Sequence, residues 1–327
     1  MDIRTQIGNV LFDTPIMNAS GPSCTSKQEL FNILFSESAA IVTKSCTLES
    51  RTGNDKPRYW HNNKLSINSM GLPNNGYKYY VDVLKHMSYF SRTKPYIMSI
   101  AGMNCKDNIE IINCINSTIH LEKVHFDVGI EINLSCPNII NKGQLAYDFS
   151  AMDFYLSKLF TECLHDKIKI IGIKLPPYFE LHHFKIVADI IKKYPINFVT
   201  TINSIGNGLV IDIEKEAPVI APKEGIGGIG GSVVKQTALS NVYNFSKQFI
   251  HTDIKIIGCG GVENGSDVFE YILAGAAAVQ VGTQFYREGC HCFKRIRQEL
   301  INLMKKKKYN EISEFYSKLY LNDVFDE

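Results

Sequence analysis

Hydrophobic positions in this chain come in short β-branched runs, separated by longer stretches in which apolar residues recur at helical spacing. Runs of the first kind predict strands and stretches of the second kind predict helices, so their alternation is the pattern of βα units around a parallel sheet. Strands are expected at residues 15–18, 40–44, 96–101, 129–134, 168–174, 198–203, 254–258 and 277–282, eight in all. These runs are nearly continuous in apolar character rather than alternating, and such strands need cover on both faces. A closed (β/α)8 TIM barrel gives that cover with eight strands, and the expected class is α/β.

The ends of the runs carry a second pattern. They finish in NAS, TKS, IAG, NLSCPN, KLPP, INS, GCGG and VGT, so small, polar and ionisable residues gather where each strand reaches the C-terminal rim. Barrel enzymes keep their active sites on that rim. Two connections, roughly 45–95 and 204–253, are too long for one helix and two loops, and their turn-rich stretches include strand-like pieces such as LVIDI. They are expected as small β insertions over the rim, where long loops usually carry function.

Composition narrows the picture. The length of 327 residues, with 45% hydrophobic and 21% charged, suits one barrel spanning 1–327 as a single domain and excludes disorder. A net charge of +2 leaves no footprint for a nucleic-acid backbone. Nine cysteines form no CxxC pair, and Cys290 and Cys292 around His291 are too tightly spaced for a common structural zinc site, so no metal is expected. Scattered thiols, no signal-type apolar segment at the start and no uncharged apolar run of about 18 residues lead to the expectation of a soluble, cytoplasmic protein without a membrane partner.

Candidate chemistry follows from the rim. Gly258-Cys259-Gly260-Gly261 and Gly282-Thr283 end strands 7 and 8, the usual phosphate site of a barrel, where glycine lets backbone N–H groups approach an anion. Lys44 and Lys174 end strands 2 and 5 inside otherwise apolar runs, and two cations aimed into one cavity favour bound anions. A flavin answers both, because its reduced form carries negative charge at the pyrimidine end of the ring; flavin mononucleotide (FMN) is the leading candidate. Strand 4 ends in Asn133-Leu134-Ser135-Cys136-Pro137-Asn138, placing a cysteine among hydrogen-bonding groups where it can act as an acid or base, while the other eight cysteines read as packing. Asn18, Asn68, Asn133, Asn138 and Asn203 crowd the same rim and suit a planar, amide-rich ring such as a pyrimidine.

The segments MNASG (17–21), TKSCT (43–47), GN-x-x-PRY (53–59), SINSMGLPNNG (66–76), INLSCPN (132–138), QLAYDF (144–149), KLPPYF (174–179), NSIGNGL (203–209), GIGGIGG (225–231), GCGGV (258–262) and VGT (281–283) resemble dihydroorotate dehydrogenase of class 1A, the soluble, homodimeric, fumarate-reducing type. The resemblance runs in order from about residue 5 to residue 320. It implies that FMN is held by Ala19, Ser20, Gly21, Lys44, Ser45, Asn68, Asn133, Lys174 and Ser204, with its phosphate on Gly231, Gly260, Gly261, Gly282 and Thr283. It places dihydroorotate on Lys44, Asn68, Met70, Gly71, Leu72, Asn133, Asn138, Asn203 and Ser204, with Cys136 as the base and Lys44 and Ser135 beside it in the catalytic group. Orotate would leave, and fumarate would take the same pocket and depart as succinate.

Departures from the family pattern are few. Where the family continues after SCPN with a Pro-Gly-Lys-Pro-Gln-like stretch, this chain reads Ile139-Ile140-Asn141-Lys142-Gly143-Gln144, and its Glu288-Gly289-Cys290 replaces a usual Glu-Gly-Pro. Rival readings are weaker. A tRNA-dihydrouridine synthase would need a basic surface and an RNA-binding extension; class 1B would need an iron–sulfur partner; the membrane-bound class 2 uses a serine base. A non-catalytic flavin-binding relic is opposed by the retention of Cys136, Lys44 and Lys174.

Overall fold

The computed structural model describes residues 1–90, 93–135 and 143–319. Its centre is an eight-stranded sheet of β1 (Ile16–Asn18), β2 (Ile41–Val42), β3 (Tyr96–Ile100), β4 (Val128–Asn133), β5 (Ile170–Leu175), β6 (Phe198–Thr201), β7 (Lys255–Cys259) and β8 (Ala278–Val281). Neighbours run in the order β1-β8-β7-β6-β5-β4-β3-β2, every pairing parallel. Each expected strand is present, so the (β/α)8 barrel stands. The helices around it are α1 (Lys27–Leu34), α2 (Tyr77–Met87), α3 (Cys105–Leu121), α4 (Phe149–Glu162), α5 (Leu181–Ile191), α6 (Lys235–Phe249), α7 (Gly265–Leu273), α8 (Thr283–Glu288) and α9 (His291–Lys307).

No backbone ladder joins β1 to β2; a side chain closes the ring there. Asn18 Nδ2 donates to the Val42 carbonyl at 2.6 Å, and Asn18 Oδ1 accepts from the Val42 amide at 2.9 Å. The expectation that Asn18 faces a ligand ring is therefore corrected: it is fully buried, and its amide is committed to the closure.

Inside the barrel the side chains change character with height. The lower layer is apolar, built from Met17, Val42, Ile97, Ile170, Phe198 and Ile257, and packs on Ile7, Val10 and Phe12 of an N-terminal hairpin (Thr5–Ile7 with Val10–Phe12) that plugs the bottom. Gly172 in this interior makes room for a neighbour, since a Cβ there would lie 2.1 Å from the Phe198 ring. Further along the strands, on the same face, stand Ser99, Glu131, Lys174 and Thr200, with Gln280 likewise above Ala278, all buried. A polar layer thus lies directly beneath the rim.

The two long connections meet over that rim. Tyr59–His61 and Leu65–Asn68 come from the first, Ile205–Gly208 and Gly227–Gly231 from the second, and together they form a four-stranded antiparallel sheet. Its register pairs Asn68 with Tyr59 on one side and with Gly228 on the other. Residues two apart on a strand share a face, so Ser66, Asn68 and Tyr59 point the same way while Ile67 between them is fully buried on the other. Ile211–Asp212 and Ala217–Pro218 add the short hairpin that LVIDI suggests. Among the described residues no helix is long and apolar enough to cross a membrane.

Candidate active site

Between the barrel rim and the insertion sheet lies a solvent-open cleft with about 1110 Å³ of empty space. One wall is made by Ala19, Ser20 and Gly21 after β1, and by Lys44 and Ser45 after β2. Asn133, Lys174, Asn203 and Ser204 contribute from β4, β5 and the end of β6. Asn68, Met70, Gly71 and Leu72 come from the first insertion, and Gly231, Gly260, Gly261, Gly282 and Thr283 line the far end. Residues picked out along more than 260 positions of sequence are thereby brought to one surface. Cys136 and Asn138 lie outside the described residues, as does the departing stretch 139–142.

Lys174 is only 4% exposed, and its Nζ donates to Gln280 Oε1 at 2.9 Å. Burial works against its charge, but the neighbouring Glu131 carboxylate works for it, and the net effect is a pKa above the ordinary lysine value. Lys44 is equally enclosed at 7% exposed, its backbone N–H held by the Cys24 carbonyl at 2.8 Å. Burial pushes the Cys24 thiol up to about 12 despite the nearby Lys44, so it is neutral at physiological pH. Cys259 lines the cleft, and burial raises its pKa against the pull of Lys174. That corrects the expectation that every cysteine but Cys136 is simple packing, since Cys259 contributes an uncharged thiol to the cleft wall.

Hydroxyls and amides are fixed by one another. Ser45 Oγ shares hydrogen bonds with Ser20 Oγ at 3.0 Å and Ser99 Oγ at 2.8 Å, and accepts from Asn133 Nδ2 at 3.2 Å. Asn203 Nδ2 donates to Ser135 Oγ at 3.0 Å, and Asn203 Oδ1 accepts the Ser204 amide at 2.8 Å. Ser135 itself is fully buried and forms no part of the cleft wall; its Oγ donates to the Lys174 carbonyl at 3.2 Å and lies 3.3 Å from Asn133 Oδ1. The structure thus sets Ser135 beneath Asn133 and Asn203 rather than on the cleft wall.

At the far end of the cleft, Gly231, Gly260 and Gly261 have φ of 88°, 139° and 68°, the left-handed region that glycine alone adopts cheaply. The loop after Gly261 is anchored by Asp267, whose Oδ2 accepts the Glu263 and Asn264 amides at 2.8 and 3.0 Å while Lys235 pairs with Oδ1 at 2.8 Å. Ser66 Oγ and Thr283 Oγ1, 3.0 Å apart, tie the insertion sheet to the loop after β8.

Tyr59, Ser66, Ile202, Cys259 and Glu263 also line the cleft without having been singled out from the sequence. Tyr59 and Ser66 were within reach, since they share the face of Asn68 once the strands are paired. Glu131 and Gln280 were missed as well: a charged and an amide residue inside β4 and β8, with the parity of the rim residues, were the available signal. Among the described residues no cluster of His, Cys, Asp and Glu could hold a metal ion.

Comparison with known proteins decides what the cleft belongs to. Residues 2–304 match the dihydroorotate dehydrogenase family. Dihydroorotate dehydrogenase A (fumarate) of Lactococcus lactis is 46% identical over 318 residues, covering 97% of this chain and 99% of that protein. A putative dihydroorotate dehydrogenase A (fumarate) of Streptococcus pyogenes is 44% identical, covering 98% of each. This chain belongs to the dihydroorotate dehydrogenase family. The crystal structure of the Eimeria tenella dihydroorotate dehydrogenase in complex with ferulenol superposes with a TM-score of 0.74 at 20% identity, over 97% of this chain and 88% of that one, and bears on the fold alone.

Dihydroorotate dehydrogenases are FMN-dependent, and this chain's residues fit that cofactor. Gly282 lines the cleft, and a Cβ there would meet only Ala19 Cβ, at 3.6 Å, so the protein's own packing does not require glycine there. What the missing side chain leaves is room for a ligand against the backbone.

Proposed function

We propose that the chain oxidises dihydroorotate to orotate in the de novo synthesis of UMP and passes the electrons to fumarate, giving succinate. The reading is carried by the L. lactis relative named for fumarate, 46% identical over 97% of the chain. It is supported by the gathering of Lys44, Asn68, Asn133, Lys174 and Asn203 on one cleft.

FMN, when bound, would supply the two-electron acceptor for the hydride that leaves C6 of dihydroorotate. Cys136 takes the proton from C5, so that two hydrogens leave the substrate and orotate forms with its ring double bond. Lys44 meets the substrate carboxylate. Asn68, Asn133, Asn138 and Asn203 offer donors and acceptors to the ring, with Ser204, Met70, Gly71 and Leu72 shaping the pocket. Lys174 would meet the negative charge that builds at the pyrimidine end of a bound flavin on reduction. Ala19, Ser20, Gly21 and Ser45 would hold the flavin, and Gly231, Gly260, Gly261, Gly282 and Thr283 its phosphate. Orotate then leaves, fumarate enters the same pocket, and Cys136 returns a proton to it. One pocket serving both carboxylates gives ping-pong kinetics. The protein acts as a cytoplasmic homodimer of single-domain barrels, as its class 1A resemblance implies.

Anaerobic addition of dihydroorotate to the FMN-loaded protein tests the reading. The visible flavin absorbance should bleach, and Cys136→Ala should retain FMN yet bleach slower by orders of magnitude at neutral pH. Flavin that dihydroorotate leaves oxidised would overturn the assignment.

A further inference from the structure

We infer that Glu131 sets the reduction potential of the bound flavin by offsetting part of the Lys174 charge from beneath the cleft, an inference that rests on the placement of FMN over Lys174 proposed above. Glu131 is fully buried in the interior of β4 and forms no part of the cleft wall, so it acts through its neighbour. Its Oε2 accepts from Gln280 Nε2 at 2.6 Å and from Thr200 Oγ1 at 2.7 Å. Gln280 in turn accepts from Lys174 Nζ at 2.9 Å, so one amide bridges carboxylate and ammonium. The other carboxylate oxygen, Oε1, has no hydrogen-bond partner and stands 3.9 Å from Lys174 Nζ.

That unmatched oxygen is the informative atom. Holding Gln280 and Thr200 takes one oxygen, and a glutamine Oε1 could accept both bonds; what the second carboxylate oxygen adds is negative charge facing Lys174 Nζ, where a glutamine amide would set an unpartnered donor against the ammonium. A buried charge is costly, and the one thing glutamine lacks here is the charge. Inside a barrel, screened poorly by solvent, that charge reaches across the polar layer to the flavin side of Lys174. Lys174 favours the reduced, negative ring and Glu131 disfavours it. The flavin has to accept electrons from one carboxylate substrate and release them to another, and a lysine left unbalanced would hold them too tightly for the second step.

The experiment is the midpoint potential of FMN bound to the full-length protein, measured by spectroelectrochemistry at neutral pH for the unmodified chain, Glu131→Gln, Thr200→Val and Lys174→Met. Glu131→Gln should favour the reduced flavin at least tenfold, an upward shift of about 30 mV or more for a two-electron couple. Thr200→Val, which removes a hydrogen bond and no charge, should leave the potential near its original value, and Lys174→Met should lower it. An unchanged or lower potential in Glu131→Gln, with Lys174→Met still lowering it, overturns the role of Glu131 while the Lys174 placement stands. An equal upward shift in Thr200→Val overturns it too, since packing alone would then account for the effect. An unchanged potential in Lys174→Met overturns the placement itself and the inference with it. Should Glu131→Gln fail to fold, Glu131→Asp, which keeps the charge but withdraws it from Lys174, replaces it with the same sign of shift expected.

Discussion

Glycines at the far end of the cleft divide into two kinds, and alanine acts differently on each. Gly261 is required by the protein itself: its φ is +68°, and a Cβ would lie 2.8 Å from Lys235 Cβ and 3.0 Å from the Gly231 carbonyl. Gly261→Ala should therefore cost about 2 kcal/mol of stability with or without cofactor. Gly282 is different, because a Cβ there makes only an ordinary contact, to Ala19. Gly282→Ala should leave the melting temperature of the FMN-free protein nearly unchanged while weakening FMN binding at least tenfold, about 1.4 kcal/mol, by fluorescence titration. Equal losses of FMN-free stability in both variants would contradict this division. At this scale the sequence was legible where a residue type clashed with its surroundings: Lys44 and Lys174 stand out inside apolar runs. Which way the Ser135 side chain points could not be read from its place beside Cys136, and here the strand end turns it inward onto the Lys174 carbonyl.

Among the elements, the junction of β1 and β2 is the weak point of the barrel, because two hydrogen bonds from one side chain replace a ladder. Asn18→Ala should cost about 3 kcal/mol in denaturant unfolding, since it removes both bonds and leaves the Val42 amide and carbonyl buried without those partners. A loss well under 1 kcal/mol would show that the backbone bond from Ala39 to Ile16 suffices. The barrel strands were legible because buried parallel strands are written as compact β-branched runs with turn residues after them. The insertion sheet was harder to read. Gly227–Gly231 has the sequence GGIGG, with almost no side chains to signal a strand, and it pairs with Leu65–Asn68 more than 150 residues earlier. Its glycines answer to contacts across the sheet, as at Gly228, where a Cβ would fall 2.2 Å from Ser204 Oγ. No local pattern could announce such a pairing.

Taken whole, the molecule concentrates its chemistry. The net charge of +2 says nothing of the two enclosed lysines that line one cleft, nor of the carboxylate beneath one of them. Fold class and cleft could be reached from strand ends alone; the buried polar layer could not, because Glu131, Thr200 and Gln280 acquire meaning only when three strands bring them together. The central claim is that this cleft moves electrons from dihydroorotate to fumarate, and it is tested most directly by reoxidation of the dihydroorotate-reduced protein by fumarate, NAD and a quinone side by side, under anaerobic conditions. Fumarate should restore the oxidised flavin spectrum fastest and yield one succinate per flavin. Rapid reoxidation by NAD or the quinone with no response to fumarate would contradict the account.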